Sequence, residues 1–224
     1  MAQARLKAQD KLEGDKRRMK EILQILRREY PEAQCSLKFR NPFELLVSTI
    51  LSAQCTDERV NMVTPALFAR FPTPADMAKA KIGEIEKLVQ STGFYKNKAK
   101  SLKEASRAIV EEHGGEIPNT IEKLTALRGV GRKTANVVLG NIFAIPGVVV
   151  DTHVGRLSRR MGFTKATDPV KVEFEMMEVI PRDDWTISNH LFIDHGRAVC
   201  NARRALCEKC VITRFCPKVG VAQT

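Results

Sequence analysis

The stretch Leu127-Arg128-Gly129-Val130-Gly131-Arg132-Lys133-Thr134-Ala135-Asn136 constrains this chain of 224 residues more than any other. It reads as a helix end, a tight glycine turn and a new helix that opens with a lysine. Two glycines one residue apart let the backbone turn sharply and approach another molecule closely. The amides of such a turn, at the start of the next helix, form a ready site for a phosphate. Lys133 then stands beside that phosphate, at the positive end of the helix dipole, where an ammonium form is disfavoured. A neutral amine is a nucleophile. A plainer reading fits the same residues: a joint between two helices with a solvated lysine.

Two phosphate motifs are excluded. A P-loop needs a glycine directly before its lysine, and Arg132 stands there; the dinucleotide fingerprint needs a third glycine, and Thr134 takes its place. Neither has the preceding strand it requires. The turn is a helix-hairpin-helix candidate.

The rest of the chain carries helical signals and predicts an all-α fold. Met19, Ile22, Leu23, Ile25 and Leu26 share one face of a helix from about Asp15 to Tyr30, stopped by Pro31, with its Lys and Arg residues on a solvated face. Asn41-Pro42-Phe43-Glu44 combines an N-cap, a first-turn proline and a capping-box acid. The helix it opens, through Ala53, is apolar nearly all round and belongs at the centre of a bundle. Asp57 caps the next helix, which Pro65 kinks. Thr73-Pro74-Ala75-Asp76 repeats the start signal. Ile82, Ile85, Leu88 and Val89 give one core face and Ala99, Leu102, Ala105, Ile109 and Val110 another, closed by Gly114-Gly115. The run Val148-Val149-Val150 is strand-like but too short to imply a sheet.

A formal net charge of +11 points to a polyanionic partner, nucleic acid or an anionic membrane, with a generally basic protein as the plainer alternative. No window is apolar enough for the roughly 18 residues of a membrane span. The first twenty residues hold seven Lys or Arg, but also Asp10, Glu13 and Asp15, and no apolar core follows. That is the pattern of neither a signal peptide nor a transit peptide, so the expected setting is the cytoplasm.

Of six cysteines, Cys35 and Cys55 are isolated, while Cys200-x6-Cys207-x2-Cys210-x5-Cys216 crowd into 17 residues. In a reducing compartment such a cluster holds a metal rather than disulfides. Structural zinc sites come as two close pairs with a longer spacer, and here only Cys207 and Cys210 form a close pair. Uneven single spacings favour an iron–sulfur cubane, with zinc left open. Arg197, Arg203, Arg204, Lys209, Arg214 and Lys218 surround it against one acid, Glu208. Such a loop either grips phosphates or is a charged, solvated wrap around a structural centre.

Asp151 follows the valine triplet and precedes Thr152-His153-Val154-Gly155-Arg156. Two readings stand: a partly desolvated catalytic carboxylate near the lysine helix, or an N-cap. His153 reads as a hydrogen-bonded packing residue rather than a ligand.

Taken together, these pieces resemble the endonuclease III family of DNA glycosylases, in the helix-hairpin-helix superfamily. The hairpin Leu127 to Ala135, the Val150-Asp151-Thr152-His153 segment and the four-cysteine loop all match. So do Leu51-Ser52-Ala53-Gln54-Cys55-Thr56-Asp57 and Gly93-Phe94-Tyr95-Lys96-Asn97-Lys98, in order, over residues 17 to 218. The resemblance implies two helical domains with a DNA-binding groove between them. One, at 35–145, is a six-helix barrel with the hairpin; the other joins 1–34 to 146–224 and carries a [4Fe–4S] cluster on Cys200, Cys207, Cys210 and Cys216. It also implies a bifunctional enzyme of base excision repair, acting as a monomer on double-stranded DNA in the bacterial cytoplasm. Such enzymes excise oxidised or ring-damaged pyrimidines and cut the backbone at the abasic site. The target nucleotide must first leave the stack, at a cost of a few kcal/mol that damage reduces.

By the same resemblance, the Lys133 amine attacks the sugar's C1′ and forms a Schiff base that permits β-elimination. Asp151 stabilises the positive charge that develops on the sugar, and removes a proton from Lys133. Gly129, Val130 and Gly131 hold the DNA backbone through their amides. Gln54 fills the gap left by the extruded nucleotide, unless it merely caps a helix end. Phe94 wedges into the opposite strand, unless it is core; relatives often carry an aliphatic residue there. Cys55 replaces a frequent alanine and takes no part in the cluster.

Three alternatives are weaker. An adenine-mismatch glycosylase of the same superfamily usually lacks the hairpin lysine and adds a domain beyond the cluster, whereas this sequence runs eight residues past Cys216. A non-catalytic DNA-binding metalloprotein leaves Lys133 and Asp151 as coincidence. A small electron carrier is compatible with the net charge and the lone cluster, and absence of DNA affinity would favour it.

Overall fold

Capping side chains set most helix starts. The computed structural model describes residues 2–221. Asn41 Oδ1 accepts from the Glu44 amide at 2.9 Å and opens α2, Pro42–Leu51. The Glu44 carboxylate does not close the expected box on Asn41; it turns to the backbone amide and guanidinium of Arg40. Thr73 and Asp76 do close a full capping box at α4, Pro74–Lys79. Between them, α3 spans Asp57–Arg70 with Pro65 inside it. Its cap is Thr56 rather than the expected Asp57, because the Thr56 hydroxyl accepts from the Arg59 amide. Asp57 serves instead as a first-turn acid.

The chain divides into two compact units, 35–145 and 1–34 with 146–224. In the first, α2 is buried from Phe43 to Leu51, as its all-round apolar surface requires. Around it lie α3, α4, α5 (Ile82–Val89), α6 (Tyr95–His113), α7 (Ile121–Ala126) and α8 (Arg132–Ile142). Ile85, Val89, Ala99, Leu102, Ala105 and Ile109 join the core, while Ile82 and Val110 stay partly exposed at the edges of their faces. Leu127 and Val130 anchor the α7–α8 hairpin in the same core.

In the second unit, α1 spans Ala2–Glu29, beginning well before the expected Asp15. The upstream residues are mostly strong helix formers, and ion pairs such as Lys16–Glu13 at 2.8 Å support the turns across Gly14. Its cations are not all solvated: Arg18 donates to Met161 O and Phe215 O and stacks on Phe163. Met19, Ile22, Leu23 and Leu26 pack with residues of α9 (Thr152–Arg160), α10 (Pro169–Val179) and α11 (Trp185–Ala198).

Among the described residues there is no strand, only one isolated bridge between Cys200 and Ala205. The Val148–Val150 run needs no sheet partner, because Asn189 on α11 supplies one: its amide accepts from Val149 N at 2.9 Å and donates to Gly147 O at 3.1 Å. No helix among the described residues is long and apolar enough to cross a membrane.

Candidate functional site

The hairpin turn is built from two glycines with different reasons to be glycine. Gly129 has φ +80°, and a Cβ there would stand 2.7 Å from Ser101 Cβ on α6. Gly131 has φ −92° and ψ 174°, which any residue adopts, and its Cβ would meet nothing within 4 Å. Nothing inside the protein requires glycine at 131. It is also the N-cap of α8 and supplies no capping side chain to the first-turn amides. The Val130 amide is spent within the turn on Leu127 O, at 3.1 Å. The Val130 side chain is buried and anchors the hairpin. Lys133, second residue of α8, is exposed.

Asp151 is the N-cap of α9, in the other unit, with Oδ1 accepting from Val154 N at 2.8 Å. One carboxylate oxygen is thus committed to fixing the group, and Asp151 remains half-exposed. The valines before it are held by Asn189, so the acid's backbone is restrained on both sides. His153 bonds through Nδ1 with Arg156 at 3.1 Å, and burial pushes its pKa down. It is a packing residue, as the sequence suggests.

Gln54 and Phe94 share an unusual backbone. Both have left-handed torsions, φ 52° and 48°, and both are exposed. Such torsions cost non-glycine residues of order 1–3 kcal/mol and persist where surrounding structure imposes them. Phe94 is not core: it is 66% exposed at the start of α6, beside Gly93 with φ 70°. Lys98, only 6% exposed, braces this turn by donating to Thr92 O at 2.7 Å. Gln54 lies beyond Ser52, the C-cap of α2, and so does not cap that helix itself.

Cys200, Cys207, Cys210 and Cys216 line one hollow of about 400 Å³, counting space open to solvent. Leu157, Met161, Val199, Leu206 and Ile212 wall it. Among the described residues no three His, Cys, Asp or Glu side chains converge on a single-ion position. Four sulfur donors in apolar surroundings fit a soft, thiolate-bound centre. Burial pushes the Cys210 thiol up to about 11 and raises Cys216 as well, so the positive charge of a metal centre is what would hold them as thiolates. Arg160 Nη1 lies 3.3 Å from Cys200 Sγ and donates to Asn201 O at 2.7 Å, pinning the loop to α9. Arg156 adds a bond to Cys200 O at 3.0 Å. Arg203 and Arg204 are exposed on the same loop.

Residues 47–182 match the HhH-GPD superfamily of base excision DNA repair proteins. Endonuclease III of Synechocystis sp. is 55% identical over 208 residues, 92% of this chain and 95% of the relative. The chain belongs to the endonuclease III family. A non-covalent endonuclease III–DNA complex superposes with a TM-score of 0.86 at 40% identity, covering 91% of this chain and 95% of that one. A trapped covalent endonuclease III–DNA intermediate gives the same TM-score and identity, covering 91% and 96%.

Several polar residues of this family member escape a reading by motif. Arg156 and Arg160 look like a charged helix face, yet both reach the cysteine loop. Lys98 sits inside a matched segment without an obvious task. His195 and Tyr30, which bond to each other at 3.0 Å, lie far apart in sequence. The one available signal was spacing: Arg156 and Arg160 fall four apart on α9, so they share a face.

Proposed function

We propose that this protein is a bifunctional DNA glycosylase and AP lyase of base excision repair, which removes damaged pyrimidines from duplex DNA and cleaves the abasic site by β-elimination. The observation that carries this reading is Lys133 at the uncapped start of α8, directly after a hairpin whose Gly131 no internal contact explains. A phosphate seated on those amides brings the sugar–phosphate backbone to the amine. Lys133 attacks C1′, the base leaves, and the resulting Schiff base acidifies the C2′ hydrogen so that the 3′ phosphate is eliminated. Asp151 stabilises the positive charge developing on the sugar. Its bond to the Val154 amide supports this role, because it orients the carboxylate before substrate arrives.

Gln54 and Phe94 enter the duplex, Gln54 in the vacated position and Phe94 between bases of the opposite strand. Their exposure on strained turns supports the assignment, since an apolar wedge must project to unstack bases. Gly129 and Gly131 contact phosphate from the hairpin, and Arg203 and Arg204 from the cysteine loop. Cys200, Cys207, Cys210 and Cys216 hold a [4Fe–4S] cluster, which when bound cross-links the loop and provides a one-electron centre. The protein acts as a monomer in the bacterial cytoplasm; the bacterial origin of its relatives supports that setting.

Borohydride trapping on a duplex with one thymine glycol, beside an abasic-site duplex, tests the reading. Wild-type protein forms a covalent adduct and Lys133→Ala forms none. Base release without an adduct would make the enzyme monofunctional, and no reaction on either duplex would remove the catalytic assignment.

A further inference from the structure

His195 is 1% exposed, and both of its ring nitrogens are engaged. Nδ1 lies 3.0 Å from the Tyr30 hydroxyl and Nε2 lies 3.4 Å from Cys210 Sγ. The Tyr30 and His195 rings meet edge to face, with centroids 5.9 Å apart, which fixes the imidazole plane. The His195 carbonyl also accepts from Cys200 N at 2.8 Å. One residue therefore touches two of the four cysteines, through its side chain and its backbone.

A neutral imidazole has one N–H and one bare nitrogen. A metal-bound thiolate only accepts, so the N–H must be on Nε2 and directed at Cys210. Nδ1 is then bare and accepts from the Tyr30 hydroxyl. Each proton in the chain has one place, and the direction runs from Tyr30 through His195 to Cys210. Hydrogen bonds to the sulfurs of an iron–sulfur centre stabilise its more negative state and raise its reduction potential.

We propose that Tyr30 and His195 form a directed hydrogen-bond relay onto Cys210 that raises the reduction potential of the cluster. The inference rests on the reading of the four cysteines as cluster ligands. Tyr30 and His195 are positioning residues in it: neither touches DNA chemistry or iron.

The test compares purified wild-type protein with Tyr30→Phe, His195→Phe and His195→Gln, reading iron and sulfide content, visible absorption and the reduction potential by film voltammetry. His195→Phe removes the donor at similar volume, and the potential shifts negative. Tyr30→Phe weakens the donor and shifts it the same way by less. His195→Gln keeps an N–H towards the sulfur and returns the potential towards wild type. Should His195→Phe not fold, Tyr30→Phe, which deletes one oxygen, decides the matter with His195→Gln. Unchanged potentials with full iron and sulfide would overturn the relay while leaving the cluster. Zinc, or no metal, in the wild-type protein would overturn the ligand reading and the relay with it.

Discussion

Gly129 and Ser101 approach so closely that no side chain fits between them: a Cβ at 129 would stand 2.7 Å from Ser101 Cβ and 2.8 Å from Ser101 Oγ. With φ at +80°, the position is closed to other residues on two counts. Gly129→Ala therefore lowers stability by about 2–3 kcal/mol, the torsional cost plus a packing clash. Adding Ser101→Gly removes the clash and recovers part of the loss. Urea unfolding of the single and double variants measures this; strict additivity would show that the two residues do not share the cost.

No contact inside the protein requires glycine at 131. An aspartate there takes the N-cap position of α8 in an ordinary torsion, so Gly131→Asp leaves stability unchanged or raises it by a few tenths of a kcal/mol. The same side chain occupies the helix amides and repels phosphate. Duplex affinity should fall at least tenfold while the unfolding midpoint holds. A variant that binds as wild type would show that the amides of α8 do not meet DNA.

Ser48 is fully buried on α2, and its hydroxyl has no hydrogen-bond partner among the described residues. An unsatisfied buried hydroxyl costs about 1 kcal/mol or more, and alanine is the better helix former. Ser48→Ala should raise the unfolding midpoint without altering activity. A lower midpoint would mean that the hydroxyl finds a partner, a buried water for example, in solution.

Helix boundaries were legible where a single side chain decides them. Asn41 and Thr73 are the caps their positions predict, and Gly114 ends α6 in a left-handed turn. The start of α1 was not legible, because a run of good helix formers has no marker for where it begins. Thr56 and Asp57 are adjacent and both good caps, so only geometry chooses between them. At the candidate site, types and spacing singled out Lys133, Asp151 and the cysteines. The exposure of Phe94 was left open, since an aromatic beside a helix start is as often core. Bonds such as Arg156 to Cys200 join residues 44 positions apart, and no local pattern encodes them.

Burial pushes the pKa values of His153 and His190 below their usual 6.5 and that of His195 to about 4. As pH falls below about 6.5 the unfolded chain takes up these protons first, so stability falls with it. The contribution is fully present above pH 6.5 and is lost towards pH 4. Urea midpoints should drop between pH 7 and pH 5, where carboxylates contribute little, and His190→Gln should flatten part of that fall. A midpoint constant over this range would show the histidines protonating freely in the folded protein.

Asn189 holds the chain entering Asp151 by both ends of its amide, to Val149 N and Gly147 O. Leucine has similar volume but neither function. Asn189→Leu therefore leaves a buried N–H and a C=O without partners, at a cost of about 2–4 kcal/mol. The segment it releases is the one that aims the Asp151 carboxylate, so base release should slow. Lys133, the hairpin and the cysteine loop are untouched, so duplex affinity and trapping on a pre-formed abasic site should change little. Single-turnover base release, set against binding, separates the two effects: equal losses in both would make Asn189 a general prop of the fold, whereas loss of base release alone would make it the residue that positions Asp151.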